Sequence, residues 1–84
     1  MASLPTRSTL VQALADAGRV HHEFEMVALK GVRDELWAGF YAAFVLGRLG
    51  DFTTASSLSR LLTAVAAPAD WSDAAATHVL AALA

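Results

Sequence analysis

The stretch Ser8–Leu29, STLVQALADAGRVHHEFEMVAL, decides the fold. Leu10, Leu14, Ala17, His21, Phe24 and Ala28 recur in it at intervals of 4, 3, 4, 3 and 4. That is one face of an α-helix held for five turns. Ser8 offers an N-cap. Gly18 costs about 1 kcal/mol relative to alanine, yet the stripe keeps its phase across it, so one helix over 8–29 is expected rather than two. Lys30-Gly31-Val32 supplies the stop. Lysine suits the negative end of the helix dipole, Gly31 can take a positive φ, and Val32 can fold back onto the last turn.

Working outward, Asp34 is placed to cap a second helix over 34–49, which is apolar almost all round and therefore surrounded on most sides. Thr53 or Thr54 caps a third over 54–66, with Leu58, Leu61, Leu62 and Val65 facing inward and Pro68 as its stop. Asp70 caps a fourth over 71–83, whose inner face is Trp71, Ala75, Val79 and Leu83. No run of β-branched residues reads as a strand. The fold class expected is all-α. It is a compact bundle of four helices joined as antiparallel helical hairpins, one domain over 1–84 with 1–7 irregular.

Composition narrows the function. The formal net charge is −2, and the six basic residues stand singly along the chain, so no patch exists to neutralise phosphates and nucleic acid is not an expected partner. The absence of cysteine removes disulfides and thiolate chemistry. The start lacks the basic-then-apolar run of a secretory signal. The longest apolar run, Leu36 to Leu49, rises only about 21 Å as a helix, short of a bilayer core of about 30 Å. No membrane span and a cytoplasmic location are expected. Nineteen alanines, with arginine outnumbering lysine five to one, point to a GC-rich bacterial genome.

The run His21-His22-Glu23-Phe24-Glu25 carries the candidate chemistry. His21 falls on the apolar stripe and Glu25 follows one turn later on nearly the same face. The two histidines are adjacent and diverge by about 100°, so they lack the four-residue spacing of helical zinc ligands, and no metal or other cofactor is expected. A hairpin centred near Val32 sets His21 opposite Ala43 and Glu25 opposite Gly39. Trp37 and Tyr41 then lie within two turns, with an indole N–H and a hydroxyl able to donate to either polar group. The candidate polar cluster is thus His21, Glu25, Trp37 and Tyr41, structural or ligand-binding. Asp34 carries a weaker site claim. Drawn at the level of Lys30, it lies about 14 Å along the axis from His21 and reads as a helix cap. Gly39, Ala43 and Gly47 form a small-residue ridge, fit for close packing on the first helix or for a dimer seam.

No catalytic residues are assigned. There is no glycine-rich phosphate loop and no nucleophile–base arrangement. Ser57-Leu58 follows Ser56 where an acyl carrier needs aspartate, and a helix-turn-helix reader would need more than Arg60 on the third helix.

From His21 to Ala42 the chain resembles a small family of bacterial all-helical proteins with no established activity. The family's pattern is His-x-x-(Tyr/Phe)-Glu, Ala-Leu-x-Gly-Val-x-Asp and Trp-x-x-(Trp/Phe)-Tyr-Ala. It is met here by His21, Phe24 and Glu25, by Ala28, Leu29, Gly31, Val32 and Asp34, and by Trp37, Phe40, Tyr41 and Ala42. Phe24 and Phe40 stand where tyrosine and tryptophan also occur. The resemblance implies that His21, Glu25, Asp34, Trp37 and Tyr41 act as a unit, and it supplies no reaction.

The expected function is a small, non-enzymatic interaction or assembly module. The alternative is a small-ligand or metal-binding protein using the polar cluster. A core of this size yields only about 3–5 kcal/mol, and nothing in the sequence staples it. A homodimer is therefore expected, with an unidentified protein partner also open.

Overall fold

A computed structural model describes residues 3–66 and 69–84. Four helices, α1 (Arg7–Val27), α2 (Trp37–Leu49), α3 (Ala55–Thr63) and α4 (Trp71–Leu83), make up its regular structure, and the described residues contain no strand. The helices pack in a ring. α1 packs beside α2 and α4, and α3 beside the same two, while the backbones of the diagonal pairs stay apart and α2 and α4 meet through the rings of Trp37, Tyr41 and Trp71. Arg48 of α2 pairs with Asp16 of α1, while Phe40 packs on Phe24. Early residues of one helix thus meet late residues of the other, the antiparallel hairpin expected from the sequence. None of the helices is long and apolar enough to cross a membrane.

The core is built by the predicted stripes. Leu10, Leu14 and Ala17 of α1, Leu58 and Leu62 of α3, and Ala75 and Val79 of α4 are all buried. Leu61, Val65, Trp71 and Leu83 pack against them. Phe52, in the α2–α3 connection, is buried as well. The α1 stripe leaves the core after His21, since Phe24 and Ala28 are exposed.

The helix ends correct several details. Thr6, not Ser8, caps α1, its hydroxyl accepting from Thr9 N–H at 3.2 Å. The helix then begins at Arg7, inside the segment expected to be irregular. Arg7 reaches across to Asp73 and Thr77 and ties the start of α1 to α4. Thr54 caps α3 by accepting from Ser57 N–H at 3.1 Å. α3 ends at Thr63 rather than 66, and the Pro68 stop lies outside the described residues. Asp70 holds the cap position of α4 at φ 54°, without a side-chain cap bond.

The largest correction concerns the α1–α2 connection. α1 stops at Val27 and α2 starts at Trp37, so residues 28–36 are free of both helices. Leu29 N–H returns to Phe24 C=O, and Gly31 N–H to Glu25 C=O at 2.8 Å, each wider than a helical bond. Lys30 and Gly31 take φ of 54° and 85° in succession, which turns the chain back along α1. Val32 does not fold onto the last turn and is exposed.

The glycine ridge does not pack on α1 either. A Cβ placed at Gly39 or Gly47 meets nothing within 4 Å, and both residues are exposed together with Ala43. The register of the hairpin was close, but α2 is rotated so that Phe40 and Tyr41 rather than Gly39 and Ala43 face His21.

Candidate functional site

His21 is the one buried polar residue among those described, at 4% exposure. Its place on the α1 stripe puts it there, and the ring is wedged edge-on between Phe40 (4.8 Å between centroids) and Tyr41 (5.4 Å). A buried imidazole needs a hydrogen-bond partner. It finds one in Asp34, whose Oδ2 lies 2.9 Å from Nε2.

Asp34 reaches His21 because the turn at Lys30 and Gly31 carries it back along α1. The 14 Å separation expected from the sequence assumed that the helices ran to 29 and from 34. They do not, and Asp34 joins the cluster as a full member. Its second oxygen accepts from Leu36 N–H at 2.9 Å, ahead of α2, whose own cap position is held by Leu36 with no side-chain bond. The two donors, His21 first and Leu36 second, hold the Asp34 carboxyl below its ordinary range.

Glu25 pins the same connection. Its Oε2 accepts from Asp34 N–H at 2.7 Å, and its backbone carbonyl takes Gly31 N–H. Its Oε1 stands 3.9 Å from His21 Nδ1, beyond hydrogen-bond range. His21 is thus flanked by two carboxylates, one bonded and one facing it across a gap.

The expected donation from Tyr41 or Trp37 to His21 or Glu25 is not made. Neither group donates to any described residue. Tyr41 instead lays its hydroxyl over Gly18, where an added Cβ would lie 3.0 Å from the oxygen. Gly18 interrupts α1 where a larger residue would collide with this ring. Burial, and after it the charge of Glu25, push the Tyr41 phenol above its ordinary pKa.

Around these groups lies an open cleft of about 370 Å³. His21 and Glu25 supply its α1 wall, Arg33 and Asp34 the connection side, and Trp37, Tyr41 and Trp71 the rest. The three rings pack mutually edge to face, with centroids 5.2–5.7 Å apart. Trp71 fixes its indole by donating to Val65 C=O, just past α3, at 3.1 Å, so α4 also frames the site.

All four residues placed in the cluster by sequence line this cleft. Asp34 is joined to it against the register estimate, though the resemblance grouped it with the others, and Trp71 and Arg33 were missed. Nothing local marks Trp71 as a site residue, since it reads as the first apolar position of α4. Its only signal was being the chain's second indole.

A wider depression of about 600 Å³ lies between Arg7 and α4, but it has no buried polar side chain converging on it. Chemistry, not volume, distinguishes the His21 cleft. Among the described residues, no three histidine, cysteine, aspartate or glutamate side chains are placed to hold a metal ion. Comparison of the chain with models of protein families, with curated proteins and with solved structures gives no match.

Proposed function

We propose that this protein binds a small molecule in the cleft between α1, α2 and the start of α4, as a ligand-binding module without chemistry of its own. One observation carries the reading. Both tryptophans and the single tyrosine of the chain converge on the same cleft as a buried histidine and two carboxylates. Apolar walls with a few convergent polar groups are the usual make-up of a small-molecule site. The resemblance of His21–Ala42 to the bacterial helical family supports treating these residues as one unit. The nineteen alanines and the excess of arginine over lysine support a bacterial origin.

The two indole N–H signals of the chain make the test direct. A fragment library is screened by ¹⁵N–¹H spectra of uniformly labelled protein, with thermal unfolding in parallel. A ligand shifts the Trp37 and Trp71 indole resonances and raises the melting temperature, by about 2.7 kcal/mol of stability at 100 times its Kd. A library that moves neither indole refutes the reading.

A second reading, assembly as a homodimer, is favoured by a separate observation. Met26, Val27, Val32 and Leu36, at 56–80% exposure, cluster at the α1–α2 end of the bundle. Lys30, Arg33, Glu23 and Glu35 are exposed in the same segments and give the patch a rim with both signs of charge. Light scattering at micromolar concentration gives twice the 8.8 kDa chain mass if this is so. Leu36→Asp returns it to one, and a monomer mass for the native chain refutes the dimer.

A further inference from the structure

We infer that the ligand of the cleft is a primary or secondary ammonium carrying a small apolar body. The inference rests on the binding reading above and names the chemistry that the unused atoms of the site demand.

Both oxygens of Asp34 are engaged, by His21 and by Leu36 N–H. An ionised Asp34 accepts, so one imidazole hydrogen sits on Nε2, and in that tautomer the ring turns a lone pair outward at Nδ1. That atom has no hydrogen-bond partner. No sealed side-chain nitrogen or oxygen among the described residues lacks one, so Nδ1 opens onto the cleft. Facing it at 3.9 Å is Glu25 Oε1, a second acceptor, whose sister oxygen is already taken by Asp34 N–H. Two acceptors side by side, one of them on a carboxylate, call for a group that donates twice and carries positive charge. An N–H-bearing nitrogen about 2.9 Å from each fits between them.

The alternatives fit less well. An anion would meet Glu25 and Asp34, and Arg33, the one lysine or arginine lining the cleft among the described residues, is turned toward Glu35 at 3.9 Å with its side chain 73% exposed. An alcohol donates only once. A quaternary ammonium donates nothing. Trp37, Tyr41 and Trp71 line the cleft and supply aromatic surface for the apolar body.

The experiment titrates benzylammonium and n-butylammonium, and as controls benzyl alcohol, benzyltrimethylammonium and benzoate, into the native chain while reading the two indole signals. Benzylammonium is expected to bind at least about 10-fold tighter than each benzyl control, the size of one hydrogen bond to a charged group. Glu25→Gln, which keeps an oxygen for Asp34 N–H, is expected to weaken benzylammonium by about the same factor. Equal or tighter binding of any benzyl control overturns the inference, as does an unchanged affinity in folded Glu25→Gln. If that variant does not fold, the comparison of probes on the native chain decides. If neither amine binds while a neutral or acidic fragment does, the ammonium class is refuted and the binding reading stands. Silence from the amines and from the whole library refutes both.

Discussion

Alanine substitution at three helical glycines separates the geometry of the cleft from ordinary helix propensity. Gly39→Ala and Gly47→Ala add a methyl that meets nothing within 4 Å, so each gains the propensity difference of about 0.5–1 kcal/mol. Gly18→Ala gains the same propensity, but its methyl lies 3.0 Å from the Tyr41 hydroxyl. The ring is held by His21, Trp37 and Trp71, so the hydroxyl yields only at a strain of about 1–3 kcal/mol, the usual cost of overpacking. The net effect is a loss of between about zero and 2.5 kcal/mol. Removing the hydroxyl restores the gain. In a Tyr41→Phe background the nearest atom to the new methyl is Cζ at 3.8 Å, an ordinary contact, and Gly18→Ala stabilises by about 0.5–1 kcal/mol. Urea unfolding followed by circular dichroism at 222 nm reads all of these changes; by heat, 1 kcal/mol moves the midpoint by about 4–8 °C in a chain of this size. Gly18→Ala as stabilising as Gly39→Ala in the native background would show that Tyr41 is not held over α1. Losses at Gly39 and Gly47 would place a neighbour on the ridge that the single chain lacks.

Three further outcomes are expected. The Asp34 carboxyl titrates below about 3.9, so its contribution to stability is complete above that value and disappears as the pH falls through its lowered folded pKa. Urea midpoints from pH 6 to 2.5 should therefore drop less steeply in Asp34→Asn, and an equal slope contradicts the His21–Asp34 bond. His21→Ala and Glu25→Ala each destabilise by about 1–3 kcal/mol with a non-additive double variant, since both pin the same connection; additive losses would separate the two roles. Absorbance at 295 nm follows the chain's one tyrosine, which should ionise above about 10 and move partway back in Glu25→Gln, while a midpoint at or below 10 denies its burial beside Glu25.

What the sequence revealed and what it hid divide along a physical line. Periodicity reports which residues share a helix face, and it placed Leu10, Leu14, Leu58, Leu62, Ala75 and Val79 in the core and His21 beside them. Thr54 was readable as one of two candidate caps, with Thr53, because a short hydroxyl before a helix readily accepts from its free N–H groups. Asp34 was misplaced because its position depends on two successive positive φ values at Lys30 and Gly31. Glycine advertises that conformation, whereas lysine does not. The rotation of α2 was hidden for another reason. A helix apolar on most sides gives no phase, so the Gly39 and Phe40 faces were equally plausible partners for His21. Trp71 reaches the cleft through the packing of α4 on its neighbours, which no local pattern encodes.

The turn at Lys30 and Gly31 also sets the dynamics of the site. Asp34, Arg33 and the Leu36 amide belong to the nine residues 28–36 that lie outside both helices. The connection is fastened to the bundle by Glu25 and His21, while its own Val32 and Leu36 contribute almost nothing to the core. Such a segment opens at a smaller free energy than the helices that flank it. The connection is therefore expected to open locally before the four-helix framework does. Amide hydrogen exchange should show Asp34 and Leu36 as a cooperative unit of their own, less protected than Leu14 or Val45. Any molecule that bridges His21 to Glu25 slows that unit selectively, a stabilisation that appears at these two amides and not in the slowest-exchanging positions of the core.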